Sequence, residues 1–290
     1  MKKLSFVQRS NGSNWIGDGF PVRSIFSYND IAPEVSPFIL LDYAAPAHFT
    51  PTRSRRGVGE HPHRGFETVT IVYSGEVEHR DSSGGGGIIG PGDVQWMTAG
   101  AGVVHEEFHG PNFAKKGGVL EMIQLWVNLP SKDKMTGPAY QSITDTRIPR
   151  IELPHGGQMR VIAGQYKNTV GPAHTFTPMN VWDMSIQGGK RMSFEVPESY
   201  TASLFVLKGR IRTPNGTTIG EAELAVFDRD GSSVEFSVIE DAKILLLAGE
   251  PLDEPIAGSG PFVMNTAQEI EQAIADYENG QMGTLPVRSA

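Results

Sequence analysis

The chain contains no cysteine. Disulfide staples and thiolate metal ligands are therefore excluded, and any metal must be held by nitrogen and oxygen donors. No apolar run approaches the roughly 20 residues that span a bilayer. Met1-Lys2-Lys3 leads into mixed polar sequence, not an apolar signal core, so no membrane partner or secretory leader is expected. A cytoplasmic protein (or, in a eukaryote, a nuclear one) is expected. Basic residues are in the minority, 25 Lys and Arg against 33 Asp and Glu, for a formal charge of −8. Broad phosphate-backbone contact needs the opposite balance, so no direct nucleic-acid binding is expected. The glycine run at 84–87 has no Lys-Ser/Thr and no helix after it, which excludes a phosphate loop. Convincing helices are also scarce.

What is present is punctuation: 34 glycines and 20 prolines break the chain into short apolar runs. That pattern predicts an all-β protein of barrels or sandwiches. A length of 290 residues predicts two domains. Strands are expected at 38–41, at 68–73 (TVTIVY), at 93–98 (DVQWMT) and at 119–129 (VLEMIQLWVNL). Residues 131–150 are polar and punctuated by Gly137-Pro138 and Ile148-Pro149. They are read as a linker between domains at 1–130 and 151–290. The second half repeats the first in outline, with Asn215-Gly216 as a hairpin turn. Its offsets put Glu195 and Pro197 where His61 and His63 stand in the first half, so the second domain is expected to hold no metal. One helix is expected near the end. Thr266 and Glu269 form a capping box, Ile270, Ala273, Ile274 and Tyr277 make an apolar face, and Asn279-Gly280 ends it.

Three of the eight histidines fall into two spaced motifs, His61-Pro62-His63 and His105-Glu106-Glu107. Side chains alternate faces along a strand, so His61 shares a face with His63, and His105 with Glu107. Antiparallel pairing would bring three imidazoles and a carboxylate together. Such a donor set suits one divalent iron, manganese, nickel, copper or zinc ion. Glu106 has the wrong parity and is expected to face away. Glu67 follows His61-x-His63 at a spacing that keeps the same parity, so spacing alone leaves it open as a ligand. Gln124 is expected either satisfied in the core or facing the pocket as a substrate contact. The arginines at 53, 55 and 56 are either solvated or meet an anionic partner.

Three passages, HPHRGFETVT (61–70), DVQWMTAGAGVVHEE (93–107) and LLAGEPLDEPIAGSGPFVMNTAQEI (246–270), resemble the pirin family of the cupin superfamily. The resemblance implies a bicupin, two jelly-roll β-barrels with a short C-terminal helix, covering nearly the whole chain. It implies one iron in the N-terminal barrel on His61, His63, His105 and Glu107, with Glu67 left to orient a ligand imidazole. It further implies an oxidoreductase of the quercetin 2,3-dioxygenase type, which opens a flavonol ring with O2. There Glu107 would take the substrate proton, and Arg64 at the mouth would touch substrate or simply be a surface charge. Pirin-like proteins also resemble iron-dependent, redox-sensing regulators that bind a protein partner, which is the alternative reading.

Overall fold

The computed structural model describes residues 1–10, 12–154 and 156–287. The cluster Ser10-Asn11-Gly12-Ser13-Asn14, whose composition predicts a turn, thus falls partly outside the described residues. Strands dominate, and the described helices are short; none is long and apolar enough to cross a membrane. The chain divides into two compact units that interleave in sequence. The first unit holds Gly12–Ser24, Ile39–Asp145 and the segment from Glu254 onward. The second holds the opening strand Leu4–Arg9, then Ile25–Phe38 and Thr146–Asp253.

This differs from a simple division into 1–130 and 151–290. The opening strand Leu4–Arg9 pairs with Glu223–Phe227, far along the chain. The segment after Glu254, expected in the second domain, belongs with the histidines. Hydropathy reveals which residues are buried but not against which sheet edge, so long-range exchanges of this kind leave no local trace. The expected linker is also structured. Ala139–Ile143 is a strand paired with Val94–Thr98. Lys134, polar by type, is 1% exposed. Its ammonium donates to Gly65 O at 2.8 Å, Asn128 Oδ1 at 2.7 Å and Val263 O at 2.9 Å. Burial lowers its pKa to about 8.

In the first unit a four-stranded sheet runs in the order Gly57–His63, Val103–His109, Val77–Asp81, Gly86–Ile89. A seven-stranded sheet has Val94–Thr98, Phe66–Ser74, Gly118–Asn128 and Phe38–Phe49 in sequence across its middle. The two sheets pack through Phe20, Val22, Val72, Val77, Ile89, Leu120 and Met122. Alternation in the strand Val103–His109 turns His105 and Glu107 into this barrel and Val104 out of it. Val104 then packs on Phe262, Met264, Ile270 and Ala273 of the C-terminal segment.

The helix Ala267–Glu278 carries the expected capping box. Thr266 Oγ1 accepts from Glu269 N at 3.2 Å, and Glu269 Oε2 accepts from Thr266 N at 2.9 Å. Its buried face differs from the expected one. Ile270, Ala273 and Asp276 are buried, while Ile274 and Tyr277 are more than a third exposed. Asp276 is drawn inward by Arg64, whose Nη1 lies 2.7 Å from its Oδ2.

The second unit is a barrel on one nine-stranded sheet. The long strand Ser233–Gly249 pairs first with Arg191–Glu195 and later with Met179–Ile186 and Thr201–Arg212. Its core is built from apolar residues, with Trp182, Phe194, Phe236, Leu204 and Ile244 among the buried ones. Glu195 and Pro197 are exposed, and Met192, Phe194 and Val196 take the inward positions.

Candidate metal centre

The strand Gly57–His63 lies antiparallel to Val103–His109, with His105 directly opposite His61 and Val103 opposite His63. Between the pairs His61/His105 and Val58/Glu107 the first strand contains one extra residue. This bulge lets Val58, three positions before His61, face the same cavity as His61 and His63. The loosened backbone at Gly59 also turns a carbonyl toward His61, and His61 Nδ1 lies 2.8 Å from Gly59 O.

His61, His63 and His105 come together with their donor atoms within 4.8 Å of one another. The ring centroids are 4.2 Å apart for His61 and His105, and 4.7 Å for His63 and His105. A second group of donors, His79, His105 and Glu107, shares His105 with the first. His63 and His105 are buried, and burial holds both rings well below the usual imidazole pKa, with His61 adding a smaller effect of the same sign. Neutral imidazoles are the form that can ligate.

The outer nitrogens decide where the lone pairs point. A carbonyl oxygen can only accept, so His61 Nδ1 is protonated and donates to Gly59 O. His63 Nδ1 likewise donates to Pro261 O at 3.3 Å. In neutral rings the Nε2 atoms are thereby left as lone pairs. His61 Nε2 and His105 Nε2 stand only 2.8 Å apart. Two nitrogens each about 2.1 Å from one ion adopt such a separation at adjacent coordination positions. The donor chemistry of these residues therefore fits a single cation.

Glu107 reaches the same cavity from one step further along its strand. Its Oε1 accepts from Gln95 Nε2 at 2.6 Å. Gln95 Nε2 also donates to Thr70 Oγ1 at 2.9 Å, and Thr70 Oγ1 donates to Gln124 Oε1 at 2.8 Å. This polar ladder comes from facing positions on three neighbouring strands, since Thr70 pairs with both Gln95 and Gln124. Gln124 lines the cavity, which was one of its two expected placements.

The cavity measures about 390 Å³. Phe20, Val22, Met122 and Trp126 give it apolar walls, and Gly260 and Pro261 reach it from the C-terminal segment. Asp42 also lines it. Asp42 is 8% exposed, its Oδ1 has no hydrogen-bond partner, and burial raises its pKa. Neither Asp42 nor Pro261 emerged from sequence reasoning. A lone carboxylate within the apolar run FILLDYAA was the one available signal for Asp42.

Two expected roles are placed differently. Glu67 lies on the far side of its strand from Thr70. It pairs with Thr98, whose Oγ1 donates to Glu67 Oε1 at 2.7 Å, and it touches no ligand histidine. The parity count failed at Gly65, whose φ of +88° turns the chain from one sheet into the other. A Cβ there would strike Val263 O, so glycine is required. Arg64 is 4% exposed and does not line the cavity. Its Nε donates to Ala101 O at 2.6 Å and its Nη1 to Asp276, so it anchors the C-terminal helix instead of meeting substrate. Arg55 stacks on Phe108 at 3.5 Å and pairs with Glu106 at 3.1 Å. Glu106 does face away from the cavity, but it is buried beneath Arg55 and Arg80, not solvated.

The chain is similar to known proteins over nearly its whole length. Residues 19–127 match the family model described as Pirin, and residues 181–283 match the Pirin C-terminal cupin domain. A Pseudomonas aeruginosa protein named "Putative quercetin 2,3-dioxygenase" is 54% identical over 97% of this chain and 98% of its own length. Pirin-1 of Arabidopsis thaliana is 38% identical, covering 92% of this chain and 90% of its own. A crystal structure titled as quercetin 2,3-dioxygenase from Acinetobacter baumannii superimposes with a TM-score of 0.96 at 53% identity. It covers 98% of this chain and 99% of that one. The two-barrel fold is thus the bicupin fold.

Proposed function

The chain belongs to the pirin family, and from that premise we propose that it is a metal-dependent dioxygenase of flavonol-like phenols. The observation that carries the reading is the convergence of the His61 and His105 Nε2 atoms, 2.8 Å apart, beside a largely apolar cavity. His61, His63, His105 and Glu107 hold one divalent ion, iron in this reading. When bound, the ion supplies Lewis acidity toward a substrate oxyanion and one-electron chemistry toward O2.

The protein's own residues account for the rest. The cavity volume lies within the roughly 300–1,000 Å³ usual for small-molecule sites. Phe20, Met122 and Trp126 pack against the faces of a planar phenol and exclude water. Asp42 and Gln124 offer the polar contacts that orient its hydroxyl groups. Asp42 supplies a carboxylate oxygen that is otherwise unpartnered at a cost of about 1–3 kcal/mol, which a ligand hydroxyl would relieve. Glu107, anchored through Oε1 by Gln95, takes the proton of the substrate's 3-hydroxyl on its other oxygen. In the overall reaction both atoms of O2 enter the product and one ring carbon leaves as carbon monoxide.

The test is metal content by mass spectrometry on purified protein, paired with oxygen uptake and carbon monoxide release on adding quercetin. One iron per chain with turnover is expected, and His61→Ala should lose both while remaining folded. Full metal occupancy in that variant would remove the site from consideration. Iron without turnover of any phenol would leave a metal-binding regulator as the better reading.

A further inference from the structure

On the side of His105 away from His61 runs a chain of buried groups that the proposed reaction does not use. His105 Nδ1 lies 3.3 Å from His79 Nδ1, and His79 Nε2 lies 3.1 Å from Asp81 Oδ2. Asp81 Oδ1 accepts from Ser83 N at 2.9 Å, Ser83 Oγ at 2.6 Å and Gly85 N at 2.9 Å. His79, Asp81 and His105 are each at most 1% exposed. The Tyr140 ring stacks on His79 at 5.1 Å and 19°. The strand Val77–Asp81 pairs with Val103–His109 so that His79 is opposite Glu107 and Asp81 opposite His105, all on the inward face.

Proton bookkeeping along this chain has one solution for neutral rings. A carboxylate accepts and cannot donate, so His79 carries its proton on Nε2. His79 Nδ1 is then a lone pair facing His105 Nδ1, which must be the protonated nitrogen of its ring. The lone pair of His105 is left on Nε2, the atom that meets His61. We propose that His79 and Asp81 are positioning residues, a relay that fixes His105 in the ligating tautomer and increases its donor strength toward the ion. The inference rests on the metal reading above and deepens it. A ligand imidazole commonly donates its second nitrogen to a carboxylate or carbonyl. Here a second histidine is interposed, and the turn at Ser83 and Gly85 holds the carboxylate behind it.

The competing arrangement is a second ion held by His79, His105 and Glu107, which are also close enough to share one. Two variants separate these ideas. His79→Phe keeps a ring against Tyr140 but has no acceptor, whereas His79→Asn places an amide oxygen near the lost Nδ1. Chelator competition with ferrous iron under nitrogen should show affinity reduced about 10- to 100-fold in His79→Phe and largely recovered in His79→Asn. Nitrogen-15 NMR of metal-free, histidine-labelled protein should show His105 protonated on Nδ1 in the wild type, and a mixture of tautomers in His79→Phe. A His105 protonated on Nε2 in the wild type would overturn the relay without any variant. So would unchanged affinity in His79→Phe, or two ions per wild-type chain falling to one in that variant. Absence of any bound ion in the wild type would instead sink the metal reading, while the tautomer measured in metal-free protein would still decide the relay.

Discussion

The two units are both β-barrels of one chain, and they fill their interiors differently. The second packs Trp182, Phe194, Phe236 and aliphatic side chains into its core. The first keeps a similar apolar cluster at one end but lines its middle with His61, His63, Thr70, His79, Gln95, His105 and Glu107. Among the described residues, both groups of metal-compatible donors lie in the first unit. Buried polar groups destabilise a barrel unless each finds a partner. The first unit meets much of that requirement with the network around Thr70, Gln95 and Glu107, and the second pairs its buried Asp183 with Arg160 at 2.8 Å. Each unit nonetheless hides one lysine among backbone carbonyls. Lys134 lies in the first, and Lys2 in the second, donating to Glu198 O, Tyr200 O and Arg229 O. Buried lysine is therefore a device for tying loops in either barrel, whereas buried imidazole marks the site.

The sharpest way to break this contrast is Phe194→Ala. Loss of a buried aromatic ring should cost about 4 kcal/mol of stability, read by urea denaturation. Metal affinity should not change, because no donor lies in that unit. A matching loss of affinity would show that the second barrel takes part in the site.

Glu67 tests the first barrel away from its metal face. Burial raises its pKa from 4.5 to about 7. The folded state therefore holds a proton that the unfolded chain releases above about pH 4.5. Stability from this group is fully present below pH 4.5 and declines as pH rises through about 7, by about 3 kcal/mol in order of magnitude. In metal-free protein, Glu67→Gln should abolish that decline and be the more stable form at pH 8. Bound metal should be retained. Parallel pH dependence in the two proteins would show that Glu67 is not the group responsible.

The smallest effect is expected at Ile274, which periodicity places on the buried helix face but which is 38% exposed. Ile274→Ser should change stability by no more than about 0.5 kcal/mol. A loss of 2 kcal/mol or more would restore the face read from periodicity.

Much of the site was legible because strand alternation is a local rule. It aligned His61 with His63 and His105 with Glu107 before any pairing was known. The same rule misplaced Glu67, because a turn at Gly65 moves the chain between sheets and resets the count. Arg64 was legible as a charge close to the histidines. Its partner Asp276 lies 212 residues away, so its structural role was not legible. His79 and Asp81 carried a visible His-x-Asp spacing, but their meaning depends on the neighbouring strand that brings His105 against them.

The amino-acid sequence by itself determined the chemistry available: nitrogen and oxygen donors without thiolates, short strands punctuated by glycine and proline, a capped final helix, and a second half without the paired histidine motif. Those properties follow from composition and from contacts a few residues apart. Tertiary structure alone decided which carboxylate lies beside the histidines, which partner each of their ring nitrogens faces, and which strand belongs to which barrel. Each of those depends on hydrogen bonds between residues tens to hundreds of positions apart, and backbone pairing across sheets sets them where no local pattern can.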